Sequence, residues 1–224
     1  MRISVVIPAY NSAEFVGEAL DSIAAQKRAP DEIVVVDDGS HDDTAQIVQS
    51  RRMSGLTLIR QRNAGAAAAR NAALEKSTGN WIAFLDADDL WTPDKLTIQA
   101  GLATEYSDVD VWLGATEGVS LAPPATTAGA FLADFSSRNF LQLGATFIRR
   151  SVFDRVGLFD PALKYGEDFD WLMRSQEAGA VIATHPETVL RYQRHSANLT
   201  NNVSELTSGF LGVLKRSIDR RRLS

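Results

Sequence analysis

Ile33-Val34-Val35-Val36-Asp37-Asp38-Gly39-Ser40 changes character in a single step, from four β-branched side chains to a polar, turn-forming tetrad. The apolar part reads as a short strand covered on both faces, since a strand with one wet face would alternate. The same design occurs on either side of it. Ile3 to Ile7 runs into Pro8-Ala9-Tyr10-Asn11, and Trp81 to Leu85 runs into Asp86-Ala87-Asp88-Asp89. Leu56 to Ile59 is a fourth such run. Between the runs, Phe15, Val16, Ala19, Leu20 and Ile23 recur at helical spacing. Ser40 and Asp43 have the spacing of a capping box before Ala45–Val48. Ala64 to Leu74 is Ala-rich and favours helix. Thr92 and Pro93 supply an N-cap and a first helical position for a helix reaching about Thr104. Strand and helix alternate four times, which predicts an α/β fold with a Rossmann-like, mostly parallel sheet flanked by helices.

The second half is less regular. Val109–Leu113 and Gln142–Ile148 read as strands, and Ser151 as the cap of a short helix. Phe169–Ala178 reads as a helix ended by Gly179. Val181–Ala183 and Thr188–Tyr192 read as two further strands, and Val203, Leu206, Phe210, Leu214 and Ile218 mark a last helix. Ala122–Gly129, rich in Pro, Thr, Ala and Gly without periodicity, reads as a loop. No repeat or long linker divides the chain. The expectation is one domain over 1–224, with a regular half at 1–105 and a short mixed half at 106–224.

Composition narrows the function. The 224 residues carry a net charge of −5 and no cysteine, so thiolate catalysis and Cys-held metals are excluded. An acidic balance speaks against general nucleic-acid binding. Charges interrupt every apolar run before a membrane span is reached, and the N-terminus shows no cleavable leader; the expectation is a cytoplasmic protein. Neither Gly-x-x-x-x-Gly-Lys-Ser/Thr nor a Gly-x-Gly-x-x-Gly after the first strand is present, which removes the phosphate cradle of ATPases and the dinucleotide fingerprint.

The acidic residues matter through their position. Parallel strands place their carboxyl ends on one edge, where open α/β sheets bind ligands. Five aspartates, Asp37, Asp38, Asp86, Asp88 and Asp89, are thereby predicted to gather at one crevice. Their mutual repulsion calls for donors or a cation. Asp-x-Asp after a buried strand suits Mg²⁺ or Mn²⁺, which take one or two protein carboxylates together with substrate phosphates. Asp-Asp-Gly-Ser is equally good turn chemistry, and that alternative stands beside the ligand reading.

Together these stretches resemble the family 2 inverting glycosyltransferases. Ser4-Val5-Val6-Ile7-Pro8-Ala9-Tyr10-Asn11 is similar to the family's opening strand, and Val35-Val36-Asp37-Asp38-Gly39-Ser40 with Asp43-Thr44 to its second motif. Asn63-Ala64-Gly65 with Ala69-Arg70-Asn71 resembles the third, Phe84-Leu85-Asp86-Ala87-Asp88-Asp89 the metal motif, and Gly166-Glu167-Asp168-Phe169-Asp170-Trp171 the segment carrying the base. The order holds over residues 3–195. The resemblance implies a glycosyltransferase A fold and sugar transfer from a nucleotide diphosphate donor, in the setting of cell-envelope polysaccharide biosynthesis. It makes 1–105 the nucleotide-binding half and 106–224 the acceptor-binding half with the C-terminal helix, with Ala122–Gly129 a candidate acceptor-side lid. It places Pro8, Ala9 and Tyr10 at the base pocket, with Asn11 and Ala87 among the substrate-binding residues. Asp38 would meet a pyrimidine, which favours UDP. Arg70 would lie near the base or phosphates, and Asp86 at the ribose or metal shell. Asp88 and His195 would ligate Mn²⁺ or Mg²⁺, and Asp168 would be the general base. Glu167 and Arg194 join the substrate contacts, and Trp171 reads as either packing or a wall of the acceptor site.

An inverting transfer needs one carboxylate to take the acceptor proton and a stabilised leaving diphosphate, which these residues can supply. Without a Gln-x-x-Arg-Trp motif or membrane spans, one sugar per encounter is expected, on a saccharide or lipid-linked acceptor. Two alternatives remain: a nucleotidyltransferase forming the nucleotide sugar, which would need a Gly-rich first loop, and a non-catalytic nucleotide-binding domain. The last helix sets Phe210, Leu211, Val213 and Leu214 beside Lys215, Arg216, Arg220, Arg221 and Arg222. It suits either packing on the domain or peripheral contact with the inner face of a membrane.

Overall fold

The structure, a computed structural model, describes residues 1–117, 142–193 and 203–223. The expected Ala122–Gly129 loop, Arg194 and His195 lie outside them. The first half is strand β1 (Ile3–Ala9), helix α1 (Val16–Ala24), β2 (Glu32–Asp37), α2 (Thr44–Ser50), β3 (Leu56–Arg60), α3 (Ala66–Lys76) and β4 (Trp81–Phe84). Then come β5 (Leu90–Trp91), α4 (Lys95–Glu105), β6 (Val111–Glu117) and a 3-10 turn at Leu143–Ala145. β7 (Thr146–Arg149), α5 (Arg150–Val156), α6 (Glu167–Glu177), β8 (Ile182–Arg191) and α7 (Val203–Leu223) complete the described elements.

All strands join one eight-stranded sheet in the order β3-β2-β1-β4-β7-β6-β8-β5. β3, β2, β1 and β4 run parallel, as the alternation requires. β7 reverses direction between β4 and β6, β8 pairs parallel with β6, and β5 closes the edge antiparallel to β8. The continuous apolar runs are explained by burial on both faces. Ile3, Val5, Ile7, Ile33 and Val35 point into one core with α1, α2 and α4. Val6, Val34, Val36, Ile82 and Phe84 point into a second with α3, α5 and α6. Side chains alternate between the two cores with period two.

Several local expectations are corrected. Gln142–Ile148 is not a single strand: the Thr146 hydroxyl donates to the Leu143 carbonyl at 2.7 Å and closes a turn, so β7 begins only at Thr146. Val181–Ala183 and Thr188–Tyr192 belong to one strand, β8. It carries Pro186, which has no N–H to donate, across a register shift against β6 between Leu113 and Ala115. Thr92 does not cap α4; its hydroxyl donates to the Thr188 carbonyl at 3.0 Å, and Asp94 precedes the helix. The Ser40–Asp43 box does not form either. Asp42 accepts the Thr44 N–H at 3.1 Å, while Ser40 is engaged elsewhere. Ser151 lies inside α5, which starts at Arg150.

A polar brace runs through the second half. The wholly buried Lys95 ammonium donates to the Gln99 side chain at 2.7 Å and the Thr146 carbonyl at 2.9 Å. Burial holds this lysine well below the ordinary range. The Gln99 amide also donates to the Ala145 carbonyl at 2.9 Å. The brace ties α4 to the turn before β7.

Candidate active site

The carboxyl ends of β1 and β2 are locked together by the polar residues that follow them. The Asp38 N–H donates to the Ala9 carbonyl at 2.8 Å. The Asn11 N–H donates to the Ser40 hydroxyl at 2.9 Å, and the Asn11 side-chain oxygen accepts the His41 N–H at 2.9 Å. Asn11 has φ +47°, a left-handed conformation that asparagine tolerates better than most residues. This reversal leaves the Tyr10 ring exposed beyond the end of β1. Gly39 has φ +79°, and a Cβ there would come within 2.8 Å of the Asn63 nitrogen. The turn after β2 therefore fits tightly against the loop before α3.

Asp37 and Asp38 are spent on this scaffold. Asp37 is fully buried; it accepts the Ser40 N–H and the Arg60 guanidinium, each at 2.9 Å. Asp38 accepts the Gln61 side-chain amide at 2.7 Å, the Ala64 N–H at 2.9 Å and the Gly65 N–H at 2.8 Å. The last two amides stand just before α3, where the helix dipole also favours a negative charge. A carboxylate offers about four lone-pair directions, so Asp38 keeps little capacity beyond these donors. With donors satisfying both, the charge repulsion expected at this crevice does not come from all five aspartates.

It comes from the other strand end. After β4 the chain turns back on itself, with the Asp89 N–H donating to the Asp86 carbonyl at 3.1 Å. Asp86 and Asp88 are half-buried, and Ala87 is buried beneath them. Asp89 is 1% exposed and accepts the Gln193 N–H at 3.0 Å. Burial, then the charges of Asp86 and Asp88, push its carboxyl up to about 8. Asp89 thus ties the Asp86–Asp89 turn to the segment after β8, while β5 ties the same two regions through Leu90–Arg191 and Trp91–Leu190 pairing. Sequence reasoning assigned Asp89 no role of its own. Its signal was an acid placed immediately before the apolar pair Leu90-Trp91.

Opposite this turn stands the start of α6. Its first turn carries Glu167, Asp168 and Asp170, an arrangement the helix dipole favours. Asp170 is buried and paired with Arg174 at 2.7 Å and Arg220 at 3.1 Å, so it is part of the framework. Asp168 is half-buried, with one oxygen accepting the Phe169 N–H at 2.7 Å. Burial raises its carboxyl to about 7; Glu167 adds to the rise, and Arg70 opposes it.

Arg70 joins the two acidic groups. Its guanidinium donates to Asp86 at 2.7 Å and to Glu167 at 2.6 Å, from a side chain only 8% exposed. Its Nε is buried and has no hydrogen-bond partner. Burial works against its charge, but Asp86 and Glu167 outweigh burial and hold it firmly cationic. Arg70 is thus a strut between the Asp86–Asp89 turn and the start of α6.

Trp171 does not line the site. It is 1% exposed, stacks on Phe153 at 4.3 Å and donates its indole N–H to the Gly157 carbonyl at 2.9 Å. It belongs to the core. A divalent cation fits the Asp86–Asp89 turn by donor chemistry, since hard cations prefer carboxylate oxygens and burial, with the charges of Asp86 and Asp88, raises Asp89. Among the described residues no three acidic or His side chains surround one point, so this turn can supply only part of a coordination shell.

Comparison with known proteins agrees with this geometry. The succinoglycan biosynthesis protein ExoO of Rhizobium meliloti is 32% identical over 88% of this chain and 62% of its own length. The structure of Staphylococcus aureus TarS 1-349 in complex with UDP-GlcNAc superposes with a TM-score of 0.77 at 25% identity, covering 90% of this chain and 61% of that one. The mannosyltransferase PcManGT of Pyrobaculum calidifontis, in complex with GDP-Man and Mn²⁺, shares the fold with a TM-score of 0.78 at 22% identity over 97% of this chain and 64% of that one. The chain thus spans less than two thirds of each of these relatives. The profile of Glycosyl transferase family 2 matches residues 4–157, through β1, β2, the Asp86–Asp89 turn and α5, and the chain belongs to this family of transferases.

Proposed function

We propose that the chain transfers one sugar per encounter, with inversion, from a UDP-linked donor to a saccharide or lipid-linked acceptor, with Asp168 as the general base. The observation that carries this reading is the raised Asp168 carboxyl facing the Asp86–Asp89 turn across the Arg70 strut. A base that titrates near the working pH is both deprotonated and able to keep the proton it takes. With one oxygen held by the Phe169 N–H, the other takes the acceptor hydroxyl's proton as the hydroxyl oxygen bonds to the anomeric carbon and the bond from that carbon to the UDP diphosphate breaks. Glu167 and Arg70 fix the orientation of this segment.

On the donor side, Pro8 and Ala9 form the floor of the base site, Asn11 sets the turn above it, and the exposed Tyr10 ring stacks on the base. Asp38 shapes the pocket through the loop before α3, and its remaining lone pair favours a pyrimidine N–H. The UDP-GlcNAc complex of TarS supports the uridine assignment, and the carboxylates of the Asp86–Asp89 turn support a divalent metal. Asp88 and His195 would hold Mn²⁺ or Mg²⁺, with Asp86 at the metal shell and Arg194 among the substrate contacts. When bound, the cation neutralises the departing diphosphate.

The test is a screen of nucleotide sugars for divalent-metal-dependent turnover, with UDP titrated in the presence and absence of Mn²⁺. Metal-dependent UDP binding and turnover of a UDP-sugar are expected. Failure of UDP to bind even with metal overturns the donor assignment.

A further inference from the structure

Helix α7 has two unlike faces. The inner face is fully used. Val213 is buried against α6 with Phe169 and Met173, and Phe210 meets Phe169 edge-on at 5.2 Å. Ser217 is buried and hydrogen-bonded to Glu177. Arg216 pairs with Asp160 at 2.7 Å and Arg220 with Glu177 at 2.6 Å, so these cations serve the domain itself. Gly209 passes so close to the turn before α6 that a Cβ there would lie 2.9 Å from the Tyr165 carbonyl oxygen.

The outer face is different. Leu211, Leu214 and Ile218 are 62%, 36% and 47% exposed. Their spacing of three and four residues puts them on one stripe. They are three of only seven large apolar side chains left exposed among the described residues. Lys215 and Arg222 lie on the same side of the helix, exposed, with Asp219 at its margin. From Val203 to Leu223 the helix has five basic side chains against two acidic ones, in a chain whose net charge is −5. An apolar stripe bordered by cations, on an otherwise acidic protein, matches the chemistry of an anionic lipid surface.

We propose that the outer face of α7 docks on an anionic membrane surface and holds the acceptor side of the site next to it. The placement supports this. α7 touches Tyr165 through Gly209 and Gly166 through Val213, the residues immediately before Glu167 and Asp168. A helix lying on the bilayer thereby sets the base beside lipid headgroups, where a lipid-linked acceptor presents its sugar. This last step rests on the lipid-linked reading of the acceptor; the docking itself does not.

The experiment is co-sedimentation of the whole protein with phosphatidylcholine vesicles, with and without phosphatidylglycerol, in the absence of donor and acceptor. The wild type is expected to bind the anionic vesicles, to be released by high salt and to ignore the neutral ones. Leu211→Ser with Ile218→Ser should weaken binding about tenfold through lost apolar insertion. Lys215→Gln with Arg222→Gln should weaken it by about tenfold or more through lost attraction. Both pairs are on the surface, away from the site, so transfer to a water-soluble acceptor should be unchanged. That readout separates failure of docking from failure of the transferase assignment. Absence of binding to anionic vesicles, or binding indifferent to both pairs, overturns the proposal. So does concentration-dependent dimerisation that Leu211→Ser with Ile218→Ser abolishes, which would make the stripe an interface between copies.

Discussion

The two strand ends that flank β1 carry the same kind of residue and use it in opposite ways. After β2, Asp37 and Asp38 are surrounded by donors from Ser40, Arg60, Gln61, Ala64 and Gly65. After β4, Asp86, Asp88 and Asp89 crowd one another, with Glu167 and Asp168 nearby and Arg70 as the cation that ties Asp86 to Glu167. The first end is finished by folding and forms a fixed shape. The second keeps a charge imbalance, and such imbalances concentrate where chemistry is done. Identical side chains at equivalent positions thus differ in surroundings: donors encircle Asp38, while burial and neighbouring acids raise Asp89.

The contrast can be broken most severely at Asp168. Asp168→Asn should lower kcat by about a thousandfold, the usual scale for a lost general base, while UDP binding is kept. The variant should also be more stable at neutral pH. The sign follows from the raised carboxyl, which binds its proton more tightly in the folded state than in the unfolded one. This group's contribution therefore becomes less favourable as pH climbs from the ordinary carboxylate range through about 7. The melting-temperature gain of Asp168→Asn should accordingly be larger at pH 8 than at pH 4. A loss of stability in the variant would show that the carboxylate is a structural cap.

Next is the strut. Arg70→Met leaves Glu167 and Asp86 without their shared cation and should cost about 3–5 kcal/mol, as breaking one side of a buried pair does. It should also move the activity's acid limb to higher pH, because Arg70 is the charge that opposes the rise at Asp168. An unchanged limb would detach Arg70 from the base. Asp38→Ala, on the finished side, should cost about 2–4 kcal/mol by leaving Ala64 and Gly65 N–H groups unpaired. Its effect should appear in donor affinity and melting temperature, with kcat little changed; a selective fall in kcat would contradict the scaffold role. The smallest effect is that of the cation. Mn²⁺ with UDP at about 100 times their dissociation constant should stabilise the protein by about 2.7 kcal/mol, and Asp88→Asn should remove most of that gain.

How much of this was legible in the sequence depended on range. Period-two burial made β1, β2 and β4 readable, because apolar runs on both faces report their own environment. The polar residues after them marked the functional edge. What could not be read was partner choice across the fold. Asp38 and Asp86 look alike in sequence, yet the donors that neutralise Asp38 come from more than twenty residues away. Arg70 meets Glu167 across 97 positions. Trp171, next to the acidic segment, looked like a candidate wall until α5 and the Phe153 ring covered it. Two strands were expected where β8 runs as one; it carries Pro186, which cannot donate to a ladder, across a register shift against β6. The two-residue β5 was too short to show a period at all.

The central claim is that Asp168 removes the acceptor proton from the unbalanced side of this edge. The pH dependence of single-turnover transfer from a UDP-sugar tests it most directly, in the wild type and in Asp168→Asn. A rising limb centred near pH 7 in the wild type, and a flat residual rate in the variant, is the predicted result. A variant that turns over at the wild-type rate with the same limb would contradict the claim.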